Sequence, residues 1–465
     1  MSGKRRIIRL LIGPVVFALC CYALPSEIFT SVQSRAAIGT VAWVAIWWVA
    51  APVDYAVTAF LPVVINAFIP MAEMSKVVAN YASETIMLLL GASILTVSWE
   101  ETGLDRRIAS SVLRLIGNNM RKQIVFWFVI SAALSAVLPN AVVCATVTPI
   151  AVSMLKYVGE GDIKNSSIGS KILLVIVYAA GVGGLATPLG GAMNLVTIEY
   201  IQQLTGEEYI YTNWIIRYFP VMVVLVASNI LFLIRNVKKT DTINGAKEYF
   251  SSEYKEAAKL TFEQKASLAL FLIATFLSFT RQLYQNIFPG LKPAYIFVTC
   301  AILAFLITRK NGERLLLWKN VEGKIIWELI YIFAGGLAVG TLINSSGAAE
   351  NIGSVVARSG ISGNVGLVFS ILALTVCLSD VTSNTATAAV AMPIVISVVQ
   401  GVGMDPLPYI YVASIGVNLS YMLPTSIRAI PVGYGLQPQY MFKEGWKLTL
   451  IVLALMTVVS LGLLI

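Results

Sequence analysis

The segment 379-SDVTSNTATAAVAMPI-394 lies inside a long apolar run, 363–400, and interrupts it with three consecutive polar residues, Ser383, Asn384 and Thr385. Each side of the interruption is about 17 residues, the lower limit for a helix that crosses a bilayer. Irregular backbone at that depth is tolerated only where protein buries it or water reaches it. A second run, 123–156, is interrupted in the same way at Pro139-Asn140. Each run reads as two spans or as one re-entrant hairpin, and spacing does not choose between them.

The two runs are related. Shifting the chain by 244 residues places Gly91 on Gly335, Gly103 on Gly347, Ile108 on Ile352, Asn140 on Asn384, Ala145 on Ala389, Pro149 on Pro393 and Ile150 on Ile394. Apolar coincidences carry little weight in such a sequence. An Asn on an Asn, followed nine residues later by a Pro on a Pro, carries more. Each half then continues into an apolar segment broken by Gly and Pro, 181-GVGGLATPLGG-191 and 423-LPTSIRAIPVG-433. Broken segments at matched positions of two halves point to a binding site near the middle of the membrane.

Composition places the chain in lipid. Of 465 residues, 57% are hydrophobic and 12% charged, and mean hydropathy is +0.80; a soluble domain carries about 25% charged residues. There is no histidine, which excludes imidazole metal sites and histidine proton relays. The five cysteines form no CxxC pair, and no HExxH or paired-Asp motif is present, so the chain is read as neither a metal protein nor an enzyme.

Apolar runs at 9–24, 36–51, 54–70, 84–99, 170–199, 213–234, 264–288, 293–308, 325–345, 407–436 and 446–465 give eleven transmembrane helices besides the two hairpins. With the N-terminus cytoplasmic and the C-terminus extracellular, 26 of the 33 Lys and Arg residues fall on inner segments. The net charge of +9 therefore reports orientation rather than nucleic-acid binding. The two units then start on opposite sides, an inverted internal repeat. The division expected is 1–122, first-half scaffold helices and interfacial helix; 123–212, first-half transport element; 213–362, second-half scaffold with a cytoplasmic linker at 236–263; 363–436, second-half transport element; and 437–465, a terminal helix.

A helix that begins inside the membrane leaves up to four N–H groups without partners and a partial positive end. Ser383-Asn384-Thr385 opens the second limb of its hairpin, and Asn140 does so in the first half. Such ends suit an anion. The bland reading, ordinary helix caps between full spans, weighs less once the repeat and the paired breaks are considered.

These segments, above all 379–394 and 183-GGLATPLGGAMN-194, resemble the divalent anion:sodium symporter family over essentially the whole chain. The resemblance implies a homodimer in the lipid bilayer, each protomer with a scaffold and a mobile transport domain that slides like an elevator to carry small dicarboxylate anions. It also implies that two Ser-Asn-Thr tips hold substrate and help bind sodium. Ser383, Asn384 and Thr385 match the second tip, whereas Pro139, Asn140 and Ala141 keep only the Asn of the first. Thr187-Pro188 matches the family's Thr-Pro in the first broken helix, and Ile427-Arg428 is taken as its counterpart in the second. Substrate contacts are therefore expected from Asn140, Ala141, Thr187, Pro188, Ser383, Asn384, Thr385 and Arg428. A cation site, or its relic, is expected at Ser135, Pro139, Ser379, Thr382 and Ser426.

The departures set the functional expectation. Loss of the first-tip hydroxyls removes oxygens that a hard cation needs, and the guanidinium of Arg428 can clasp a carboxylate in a cation's place. An uncompensated fixed charge crosses a low-dielectric passage poorly, so the sequence predicts sodium-independent exchange of dicarboxylates such as succinate, 2-oxoglutarate or malate, with no cofactor. The alternative is a sodium-coupled di- or tricarboxylate or sulfate symporter. Asp380 is left three roles: pairing with Arg428, binding a cation, or facing water.

Overall fold

The protein is described by a computed structural model covering residues 3–113, 117–250, 260–309, 312–351 and 364–463. Ile352, used in the repeat, and residues 251–259 of the 236–263 segment lie outside the described residues. Seventeen helices of eight residues or more form the described chain: α1 (Gly3–Ala23), α2 (Val32–Ala50), α3 (Leu61–Phe68), α4 (Glu84–Thr102), α5 (Leu104–Leu113), α6 (Met120–Ser135), α7 (Asn140–Tyr157), α8 (Ser167–Gly183), α9 (Ala192–Thr205), α10 (Tyr211–Ile234), α11 (Phe262–Phe279), α12 (Pro293–Ala304), α13 (Trp327–Ser345), α14 (Asn364–Val381), α15 (Asn384–Gly401), α16 (Leu407–Asn418) and α17 (Pro438–Leu463).

The chain is an all-α, multi-pass membrane protein. Ten helical stretches among the described residues are long and apolar enough to cross a bilayer, and Tyr55–Phe68 and Pro293–Ala304 are shorter apolar ones. Three of the ten, Asn140–Tyr157, Asn364–Val381 and Asn384–Gly401, are limbs of the interrupted runs, so the ten do not map one to one onto the eleven predicted spans. The predicted span 54–70 is not one helix: Tyr55–Thr58 and Leu61–Phe68 are separated at Ala59-Phe60. The terminal helix starts at Pro438, eight residues before the predicted 446.

Both interrupted runs are helix pairs whose limbs pack on one another, α6 on α7 and α14 on α15. Each pair also packs against a broken helix, α6 on α8 and α14 on α16. Close approach in the first half depends on Gly183, where an added Cβ would lie 2.2 Å from the carbonyl oxygen of Ala132. Helix α10, grouped by the sequence with the second-half scaffold, packs on α6, α8 and α17. A separate apolar cluster joins α2 and α13 to Ala386, Ala389 and Val390 of α15.

The segment read as a cytoplasmic linker is not free over its described part. Met120 N–H donates to Asp241 O (2.9 Å) and Ile243 N–H to Asn118 O (2.7 Å), and Phe250 packs edge-on against Trp127. Residues 237–250 thereby brace the start of the first hairpin.

Candidate functional site

In the first half, Ser135 closes α6 and its hydroxyl donates to Ala180 O of α8 (2.6 Å). The turn that follows runs through Pro139, which caps α7 without a side-chain bond. Asn140 is buried and Ala141 half-buried beside it. Across from this tip α8 unwinds into two short 3₁₀ turns, Gly184–Ala186 and Pro188–Gly190. Thr187 donates to Ala136 O (2.6 Å), which ties the break to the tip. The amide of Asn194 donates to Gly184 O (2.7 Å) and Thr187 O (2.9 Å), closing the break from its far side. A Cβ on Gly190 would meet Gly184 O at 2.3 Å and Ser135 O at 2.7 Å. Main-chain oxygens from both the tip and the break therefore crowd Gly190.

The second half repeats this wiring at related positions. Ser379 donates to Val417 O of α16 (2.7 Å) and to Asn384 Oδ1 (3.1 Å). Ser383 caps α15 by accepting from Ala386 N–H (3.1 Å), as its residue type favours. Asn384 Oδ1 also accepts from Ser420 (3.3 Å), while its buried amide nitrogen has no partner among the described residues. Thr385 is buried next to it, and Thr382 shares a 2.7 Å hydrogen bond with Thr387. Thr425 donates to Asp380 O (2.8 Å).

That last bond corrects the expected pairing of the breaks. Thr187 bonds the carbonyl of Ala136 and Thr425 that of Asp380, and these two acceptors are 244 residues apart. Thr425-Ser426, rather than Ile427-Arg428, is the counterpart of Thr187-Pro188. Arg428 then stands three residues after Thr425, as Gly190 stands three after Thr187. The shift is 238 rather than 244 because the second half has six fewer residues between hairpin and break. Ser426 itself is exposed, with a left-handed backbone (φ 53°), and contributes no oxygen to the nest.

The guanidinium of Arg428 turns into the protein. Nε donates to Leu423 O (2.5 Å), one terminal nitrogen to Ser420 O (3.3 Å) and the Ser420 hydroxyl, and the other to Ser379 O (3.0 Å), Asp380 O (3.4 Å) and Thr425 Oγ1 (2.5 Å). All three nitrogens are engaged by oxygens of the second hairpin and its break, rather than held out to a carboxylate as the sequence suggested. Asp380 does not form a contact ion pair with Arg428. Its Oδ1 accepts the N–H groups of Tyr421 (2.9 Å) and Met422 (2.8 Å), and its buried Oδ2 has no partner among the described residues. Arg428 and Asp380 nevertheless lie in one buried nest, where the guanidinium donates to Asp380 O.

The two breaks meet. Asn418 donates to Asn194 Oδ1 (3.1 Å) and Thr197 to Ser414 (3.5 Å), while Cys144 of the first hairpin reaches Ile427 O (3.6 Å). Sequence reasoning missed Asn194, Asn418 and Ser420. Asn194 closes the quoted GGAMN stretch and was visible as a polar residue in an apolar run; Asn418 and Ser420 stand outside the quoted second break.

A cavity of about 480 Å³ opens beside the first tip, lined by Pro139, Val142 and Thr146 of the hairpin, Leu189 and Gly191 of the break, and Ser93, Thr96 and Glu100 of α4. It reaches the first tip and its break; the second tip is not on its wall. At its rim Lys324 pairs with Glu100 (3.2 Å) and Glu101 (2.9 Å). No cluster of His, Cys, Asp or Glu able to hold a metal ion occurs among the described residues.

Residues 45–416 match the citrate transporter family. The chain is 27% identical over 446 residues to a sodium-dependent dicarboxylate transporter, SdcS, of Staphylococcus saprophyticus, covering 92% of this chain and 86% of the relative. The protein of the same description from Staphylococcus aureus is 27% identical over 447 residues, covering 92% and 85%. Among solved structures, the YdaH transporter of Alcanivorax borkumensis has a TM-score of 0.53 at 13% identity, over 83% of this chain and 86% of its own. MtrF of Neisseria gonorrhoeae, described as illuminating a class of antimetabolite efflux pumps, has a TM-score of 0.54 at 14% identity, over 83% of each chain. At those identities the two structures speak to the fold alone.

Proposed function

The chain belongs to the citrate transporter family, a transporter and not an enzyme, and from that premise we propose that it carries small dicarboxylates together with sodium. One observation carries the reading. Arg428 has its hydrogen bonds within the second hairpin and its break and shares a buried nest with the Asp380 carboxylate, so the pair adds no net positive charge. A dianion brought into a low-dielectric site needs counter-charge, and here it has to arrive from solution. The relatives named as sodium-dependent dicarboxylate transporters favour the same conclusion. Asp380 also removes the basis for expecting obligatory exchange, since the empty carrier returns with its guanidinium already balanced.

Sodium is a co-substrate in this scheme, and the first half suits it. The main-chain oxygens of Ser135 and Gly184 crowd Gly190, and Asn140 lies at the tip beside them. Oxygen donors of this kind are what a hard cation takes. In the second half a nitrogen of Arg428 takes Ser379 O, the equivalent of Ser135 O, a feature that favours the sodium-independent exchange reading. The substrate is held between the tips, with Ser383, Asn384 and Thr385 offering hydroxyls, an unpartnered amide and the N-terminus of α15 to one carboxylate. Asn140, Ala141, Thr187 and Pro188 face its other end. We further propose a homodimer, a cytoplasmic N-terminus, an extracellular C-terminus and an elevator movement of the hairpin-bearing unit.

Uptake of labelled succinate into proteoliposomes tests the coupling. Empty vesicles should accumulate succinate under an inward sodium gradient and not under potassium. Uptake that ignores sodium and requires a dicarboxylate inside the vesicle would overturn the reading in favour of exchange.

A further inference from the structure

We propose that Asp380 sets how many cations accompany each substrate, by cancelling the fixed charge of Arg428; this rests on the sodium-coupled reading above. Asp380 corresponds to Ala136 and Arg428 to Gly190, so the second half carries two opposite charges where the first half carries none. Both charged residues are buried, Asp380 at 0% exposure and Arg428 at 1%, so water does little to balance either of them.

The geometry holds the charges together without joining them. The carboxylate is fixed by two main-chain N–H groups, those of Tyr421 and Met422. The guanidinium is fixed by the carbonyls of Ser420 and Leu423 in the same loop, and by those of Ser379 and Asp380 in the hairpin. A carboxylate retained only to shape the loop would be replaceable by any acceptor of the same form. A carboxylate retained for its charge would not. Asparagine separates these cases, because its amide oxygen can accept the same two N–H groups while its charge is zero.

With Asp380 neutralised, the nest carries one positive charge, and a dianion then needs one cation fewer from solution. The readout is the slope of log succinate accumulation against log sodium gradient at steady state in proteoliposomes, with membrane potential clamped by potassium and valinomycin. Asp380→Asn should lower that slope by about one, and the double variant Asp380→Asn with Arg428→Gln should restore it. Ala136→Asp, which places a carboxylate at the matched first-half position, should raise it by about one and decides the matter if Asp380→Asn does not fold. Sodium-coupled wild type with unchanged slopes in the transporting variants would overturn this inference and leave the coupling intact. A wild-type slope of zero would overturn both.

Discussion

The two hairpin-and-break units use the same contacts and differ in what fills their centres. In the first, Ser135 bonds Ala180 O, Thr187 bonds Ala136 O, and the carbonyls of Ser135 and Gly184 close directly on Gly190. In the second, Ser379 bonds Val417 O and Thr425 bonds Asp380 O, but the space is taken by the guanidinium of Arg428. The tips differ as well, an uncapped Pro139 in one and a capping Ser383 in the other. The same backbone arrangement thus carries a buried guanidinium and a carboxylate in the second half, at the positions where the first half has Gly190 and Ala136.

The largest effect is expected at Gly183. A Cβ there would lie 2.2 Å from Ala132 O, a collision with backbone that exceeds the ~1–3 kcal/mol of ordinary overpacking. Gly183→Ala should abolish both transport and the monodisperse peak in size-exclusion chromatography. Arg428→Met removes the donor to six oxygens and leaves Asp380 without its counter-charge, a loss of about 3–5 kcal/mol. A clearly lowered Tm in detergent, partly recovered by adding Asp380→Asn, is the expected signature. A Tm equal to that of the wild type would mean the two halves are filled alike.

Smaller effects should appear at the tips. Asn384→Ala removes the unpartnered amide, and a hydrogen bond to a carboxylate is worth about 1.5–3 kcal/mol, so the succinate Kd should rise about 10- to 100-fold. Asn140→Ala gives the matching measurement for the first tip. Ser383→Ala removes the cap on α15 at a cost of about 1 kcal/mol, and its Km should rise about fivefold with kcat little changed. Pro139→Ala, at a tip that has no side-chain cap to lose, should show less. Equal effects at the two positions would mean that the caps do not distinguish the halves.

Much of this arrangement was legible in the residues. The offset of 244 found Ser135 with Ser379 and Asn140 with Asn384, because hairpin limbs tolerate no insertions without turning their faces. The Gly/Pro interruptions located both breaks for the same reason: regular helix cannot pass through 183-GGLATPLGG-191. The offset failed at Arg428, since the connection between hairpin and break is free to change length and did so by six residues. What Arg428 bonds depends on the path of 419–425, which has no periodicity to read. Asp380 was undecidable because its partners, the N–H groups of Tyr421 and Met422, are 41 and 42 residues away. The packing at the start of the 236–263 segment was not legible from composition: Ile243, Ala246 and Phe250 are buried although charged residues surround them.

The bond between Asn194 and Asn418 has a consequence for how such a molecule can vary. It fastens the unwound stretch of one half to that of the other, at the place where each is least able to hold itself. A mutation that loosens either stretch is felt by both, so the halves are not free to drift independently even though they are separate in sequence.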